Sequence, residues 1–326
     1  MLNPFASLEG FATMWSLIVN RILLAIPTLL LVTVFVFVLQ RLLPGDPLLV
    51  MSGEERDPVL LEELRKLYGF DQPLPVQFLI WLREVAGGNF GVSLRTGVPV
   101  LTLVAQTLPV TIQLATAAIL IAMLIGIPMG ILSAARKGSW LDYLASAISL
   151  SGLSIPNFWL GIVLILVVAV KLRWLPASGF VSVFEDPVRA FQTTILPAFV
   201  LGWNLAATLM RHTRSAMLEV LGLDYIRTAR AKDLLSRAVV LKHAFRNALV
   251  PIVTLSTLLF GQLLAGAVLT EQVFTIPGFG KLIVDAVFNR DYGVVQGVVL
   301  CTGAAFIAMN LAADILYIAI NPRMRS

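Results

Sequence analysis

Residues 211–247 read RHTRSAMLEVLGLDYIRTARAKDLLSRAVVLKHAFRN. Eight lysines and arginines (Arg211, Arg214, Arg227, Arg230, Lys232, Arg237, Lys242, Arg246) face three acids (Glu219, Asp224, Asp233). Long apolar runs lie on both sides. A segment of this charge cannot sit in hydrocarbon, where each centrally placed charge costs about 2.5–3.5 kcal/mol on insertion scales. It is also longer than a connection between two spans requires. The stretch therefore predicts a membrane protein with a helical polar insert that docks onto something in the cytoplasm.

Composition agrees with this. Of 326 residues, 58% are hydrophobic and 13% charged, against about 25% charged in soluble domains. Mean hydropathy is +0.88. The net charge of +5 is read as orientation in the bilayer, with no nucleic-acid partner. The single cysteine, Cys301, lies in an apolar run and reads as a small core residue. Two histidines, His212 and His243, form no metal-ligand spacing with it.

A helix needs about 20 apolar residues to cross the hydrocarbon. Ile22–Gln40 supplies a first such run and lacks the cleavage pattern of a signal peptide. Five more lie within Pro109–Ala135, Tyr143–Val170, Ala190–Met210, Asn247–Thr270 and Tyr292–Ile320. The expected fold is an all-α integral membrane protein of six transmembrane helices, with a cytoplasmic helix-turn-helix loop and a helical extracytoplasmic loop. Residues 1–42 form the N-terminus and first span, and 43–108 the external loop. Residues 109–320 form a five-helix core that includes the 211–247 loop, and 321–326 form a tail. With the N-terminus in the cytoplasm, the short loops hold 13 basic residues inside and 5 outside. The positive-inside rule then puts both termini in the cytoplasm of a bacterial-type inner membrane.

The external loop carries helix signals of its own. Asp57-Pro58 starts one helix, Leu60, Leu61, Leu64, Leu67 and Tyr68 recur on one face, and Gly69 can close it. Gln77–Val85 is a second amphipathic stretch. These helices lie on the membrane, receive a partner, or simply cap the spans.

No catalytic constellation is present. The chain lacks a GxxxxGK[ST] loop, an HExxH and a GxSxG. Pro277-Gly278-Phe279-Gly280-Lys281 lacks the spacing of a phosphate cradle and reads as a tight turn. The chain itself is therefore expected to be no enzyme and to bind no metal or other cofactor. Asp314 is the one acid within an apolar span, four residues from Asn310 on the same helix face. Structural pairing, with Arg323 or Arg325 in reach, is its first reading; ion or proton coupling in a secondary transporter is the second. Ser154, Pro156 and Asn157 interrupt the third span, either to line a translocation path or to shape packing.

Within the polar insert, Asp224 can cap a helix through Lys232, and Ser236 a second one to about Asn247. Asp233-Leu234-Leu235 connects them. Ala229, Ala231, Leu234, Leu235, Ala238, Val239, Val240 and Leu241 exceed what a solvated loop needs, and a partner groove would bury them. A solvated basic loop that only fixes orientation, with contacts to anionic lipid, is the alternative.

Asp224-Tyr-Ile-Arg227-Thr228-Ala229-Arg230-Ala231-Lys232, continued by His243-Ala-Phe-Arg246-Asn247-Ala-Leu-Val-Pro251, resembles the coupling loop of permease subunits in ABC importers for dipeptides, oligopeptides and nickel. Further matches are Leu43-Pro44-Gly45-Asp46-Pro47, Gly126-Ile-Pro128-Met-Gly130, Ser154 to Trp159, Trp174 to Gly179, Arg290-Asp291-Tyr292 and Asn321 to Arg325. The resemblance implies half of a translocation pathway for peptides, shared with a second homologous permease subunit. It implies two cytoplasmic ATPase subunits that bind ATP and Mg, and an extracytoplasmic substrate-binding protein. Asp224, with Arg227, Thr228, Ala229, Arg230, Ala231, Lys232, Asp233 and Leu234, would contact an ATPase subunit. Nickel chelates, glutathione and sugars remain alternative substrates. Where relatives usually carry glycine, this chain has Asp233, at a turn that suits a left-handed conformation.

Overall fold

A computed structural model describes residues 5–42, 48 and 58–320. The Leu43–Pro47 motif, the cap at Asp57 and the tail 321–326 lie outside the described residues. Those described are helical, apart from loops and one isolated antiparallel bridge between Val92 and Pro99.

In chain order the helices are α1 (Phe5–Leu42), α2 (Pro58–Leu67), α3 (Leu74–Ala86), α4 (Val100–Ala135), α5 (Trp140–Ser154) and α6 (Asn157–Leu164). Then come α7 (Pro187–Leu221), α8 (Asp224–Ala231), α9 (Ser236–Ala238), α10 (Phe245–Gly266), α11 (Val268–Val273), α12 (Phe279–Phe288) and α13 (Tyr292–Ile320). Stretches of π-helix, Ile165–Lys171 and Val239–Ala244, continue α6 and join α9 to α10. Among the described residues, five helical segments are long and apolar enough to cross a bilayer, and the α5–α6 pair makes a sixth if counted as one span.

Local signals set several boundaries. Gly69 (φ 68°) ends α2 in a Schellman arrangement: Phe70 N–H donates to Arg65 O and Gly69 N–H to Lys66 O. Asp186 caps α7, accepting from the N–H groups of Val188 and Arg189 at 3.0 Å each, with Pro187 at the first helical position.

The α4–α7 pair is the centre of the bundle. Lipid offers no hydrophobic drive for helices to associate, so close backbone packing has to supply the contact. Glycines make that approach possible. A Cβ at Gly126 would lie 2.7 Å from Ala206 O, one at Gly130 2.7 Å from Met210 O, and one at Gly202 2.8 Å from Ala118 O. Leu114, Ala118, Ala122, Val200 and Leu209 bury themselves along the same seam.

Three expectations need correction. The third apolar run is no straight span: α5 and α6 meet at 97°, across Ile155 and Pro156. Proline lacks the donor to continue the ladder, and Asn204 Nδ2 on α7 donates to Gly152 O at 3.0 Å, anchoring the bend. The fourth run is far longer than its apolar core, because Arg211–Leu221 continue α7 as helix. The polar insert's non-α7 part is thus shorter than 211–247. The fifth run stops at Gly266, and Thr270 belongs to the separate α11, where it and Glu271 are buried.

Two clusters mark opposite ends of the bundle. One joins Ala134, Met217, Ile226, Val239, Ala248 and Ile252, around the polar insert. The other joins Val100, Val104, Phe279, Ala286, Val294 and Val298.

Candidate coupling surface and bundle polar groups

Helix α8 is amphipathic at a short range. Ile226 and Ala229 point inward and pack with Met217, Val239 and Ala244. Arg227, Thr228, Arg230, Ala231 and Lys232 remain exposed, as do Asp224, Asp233 and Leu234. Of the proposed coupling residues, Ala229 alone is turned into the fold. Val239 is also buried, and Val240 packs against the same cluster. Part of the apolar content expected to need a partner is therefore satisfied within the chain. Leu235 (80% exposed), Leu241 and Leu234 are the larger side chains left open.

The two anticipated caps do not form. Leu223 precedes α8 and Leu235 precedes α9, neither with a side-chain cap bond, so Asp224 and Ser236 sit at the first helical positions. Asp224 instead pairs with Arg227 at 3.2 Å, and its carbonyl accepts from Thr228 Oγ1. The segment is latched by tyrosine: Asn247 Nδ2 donates to Tyr225 Oη at 2.7 Å and to His243 O at 3.0 Å. The π-helical stretch Val239–Ala244 includes His243, and such bulges are frequent at functional sites. Asp233 follows the helix at φ 56°, in the left-handed region, with its N–H bonded to Arg230 O. That conformation is the one glycine adopts without a Cβ penalty.

The candidate path residues do not form one site. Ser154 (exposed), Pro156 and Asn157 sit at the α5–α6 bend, whose neighbours are α7 and α11. Asn310 and Asp314 lie on α13, which packs on α1 and α10. Asp314 Oδ2 receives Arg21 Nε at 2.9 Å, tying the start of the first apolar run to the end of the last. Arg323 and Arg325, the partners first considered for Asp314, lie outside the described residues.

Among the described residues, three buried carboxylates escaped the sequence reading. Asp142 on α5 accepts from Ser133, from Gly138 N at 2.9 Å and from both arms of Arg214. Asp291 accepts from Ser93 Oγ and Leu94 N and leads into α13. Glu271, fully buried, accepts from Thr111 Oγ1 at 2.7 Å and from Lys281 N at 2.7 Å. A Cβ at Gly278 would come 2.3 Å from Glu271 Cδ. The Pro277–Lys281 turn thus does cradle an anion, but that anion is the protein's own carboxylate. Burial pushes the Glu271 carboxyl up, while Thr111 and the Gly280 and Lys281 amides partly hold it down. The signal available in sequence was an acid in an apolar stretch followed within ten residues by two glycines.

An all-helical bundle with a latched polar insert at one end defines the class: a multi-pass membrane protein. The match is to binding-protein-dependent transport system inner membrane components over residues 126–326, and to the N-terminal part of the same components over 14–115. The chain belongs to this family. It is 42% identical to the oligopeptide transport system permease protein AppB of Bacillus subtilis, covering 94% of this chain and 98% of that one. It is 41% identical to the dipeptide transport system permease protein DppB of Escherichia coli K12, covering 96% and 99%. The fold is similar to a chain of the MetNI methionine ABC transporter solved in inward-facing conformations. That likeness has a TM-score of 0.57 at 20% identity, over 68% of this chain and 97% of the other.

Proposed function

We propose that this chain is one of two homologous permease subunits of an ATP-driven importer of peptides. The named functions of AppB and DppB support the substrate class. In this reading the insert faces the cytoplasm, both termini lie on that side, and membrane lipid surrounds the outer faces of the spans. Two ATPase subunits bind and hydrolyse ATP with Mg; this chain supplies no catalytic group and holds neither. A binding protein delivers substrate from the other side.

The observation that carries the reading is the exposed rim formed by Tyr225, Leu234, Leu235 and Leu241 beside a basic helix that is rigidly latched at its back. Apolar side chains on a fixed helical element suit insertion into a partner groove. Motion of that groove would pass through the insert into α7 and α10, which continue from it without a flexible linker. The bend at Ser154–Asn157 would line the path. Alternating access is then a shift of population between two states that ATP biases.

The test is Leu235→Glu. It should abolish co-purification with the ATPase subunits and peptide-stimulated ATP hydrolysis, while the chain still folds and pairs with the second permease. Retained ATPase binding would sink the docking role. Uptake by the chain alone would sink the importer reading.

A further inference from the structure

At the end of the bundle away from the insert, a cavity of about 880 Å³ opens between the first half of α4 and the start of α7. Its walls are mostly apolar, and its polar groups are few. Gln106, Gln113 and Thr116 on α4 face it, and so does Glu185, in the loop before α7. These α4 positions extend over about 15 Å of helix, at 1.5 Å per residue. Volumes of roughly 300–1,000 Å³ with apolar walls and a few placed polar groups are typical of small-ligand sites.

The polar groups divide into two sets. Gln113 is spent on structure: Nε2 donates to Val181 O at 3.1 Å and Thr194 Oγ1 at 3.2 Å, and Oε1 accepts from Val183 N at 3.0 Å. It pins the 181–185 loop against α4. Asp186, beside Glu185 but outside the cavity lining, is occupied as the α7 cap and with Arg189. The side chains of Gln106, Thr116 and Glu185 are exposed and have no hydrogen-bond or ionic partner among the described residues. Among the described residues, Glu185 is the only charged one lining the cavity. A lipid-facing helix wall has no use for the free amide of Gln106 and hydroxyl of Thr116 on one surface, and the exposed Glu185 carboxylate lies in the loop at its edge.

Resting on the peptide-importer reading, we propose that this cavity is this subunit's substrate site and that Glu185 binds the free N-terminal ammonium of a short peptide. The apolar walls take the peptide's side chains. Gln106 and Thr116 bond its backbone, and Gln113 is a positioning residue that holds Glu185 in place. Charge complementarity and size favour this occupant over a loop of the second permease.

The test uses the complete complex in proteoliposomes, with its binding protein and radiolabelled dialanine. Glu185→Gln is expected to lower uptake about tenfold at subsaturating peptide, mainly through KM, and Glu185→Asp to keep most of the activity. A second measurement places Thr116→Cys in a Cys301→Ser background. A charged thiosulfonate added from the binding-protein side should modify Cys at this position, and dialanine with binding protein should slow that modification. Wild-type uptake matched by Glu185→Gln overturns the site and leaves the importer reading standing. A Glu185→Gln chain that no longer pairs with the second permease assigns the cavity to a subunit interface and also overturns it. No reaction at position 116 in an active complex does the same. A wild-type complex that takes up no peptide overturns the peptide reading and the site together.

Discussion

Arg214 grips Asp142 with two parallel hydrogen bonds, Nε to Oδ1 at 2.7 Å and Nη2 to Oδ2 at 2.9 Å. Ser133 and the Gly138 amide complete the carboxylate's shell. One buried acid thus ties the end of α4, the start of α5 and the polar half of α7 to each other, beside the insert. Breaking one side of such a pair leaves a buried charge uncompensated.

Asp142→Ala is therefore expected to destabilise the chain by about 3 kcal/mol, the low end for buried pairs because Arg214 is partly open to water. Arg214→Lys should fall between it and wild type, since an ammonium cannot reproduce the fork. Thermal unfolding in detergent reads both. The exposed Asp224–Arg227 pair is the control, and Arg227→Ala should shift the midpoint little. Equal shifts for the two pairs would contradict this account.

Gly130→Val should cost about 1–3 kcal/mol or prevent folding, because a side chain would meet Met210 O and Thr213 across the α4–α7 seam. Gly138→Ala tests the other kind of glycine. Nothing crowds that site, but its φ of 76° is strained for any residue with a Cβ, so a smaller loss is expected. Yield of monodisperse protein and its unfolding midpoint measure both.

Glu271 predicts a pH slope. Its carboxyl is raised from an ordinary value of 4.5, so the folded chain holds the proton more tightly than the unfolded one. Its contribution to stability is full below the unfolded value and is lost as pH rises through the folded one. Glu271→Gln should flatten the stability profile from pH 4.5 upward. An unchanged slope in unfolding scans would assign the dependence to other groups.

Asp233→Gly should leave ATP hydrolysis by the assembled complex unchanged and stabilise the chain by up to about 1 kcal/mol, by relieving the left-handed backbone at φ 56°. Asp233→Val should do the opposite. A large loss of transport-coupled hydrolysis in the glycine variant would show that the carboxylate has acquired a role of its own.

Much of this architecture was legible in the chain itself. Apolar length marks spans because the bilayer has a fixed thickness, and charge marks the insert because hydrocarbon excludes it. The turn at Asp233 was visible for a similar reason, since conformation there is set locally. The bend between α5 and α6 was visible as a break at Pro156 but not as a 97° turn, whose angle depends on Asn204 and Ala207 across the interface. Asp314 announced itself as an intramembrane acid, yet its partner is Arg21, from the far end of the chain.

Sequence alone determined which segments are apolar enough to enter the membrane and where the polar insert lies. Each of these follows from composition within a window of some 20 residues. Only the tertiary structure decided which groups meet across long separations. It put Glu271 into the cradle of the Pro277–Lys281 turn, closed Asp142 with Arg214, and turned Ala229 inward while leaving Leu235 open. It also left Glu185 unpaired at the mouth of a cavity. A carboxylate reads the same in any sequence; burial and the donors that other helices bring to it give it a role.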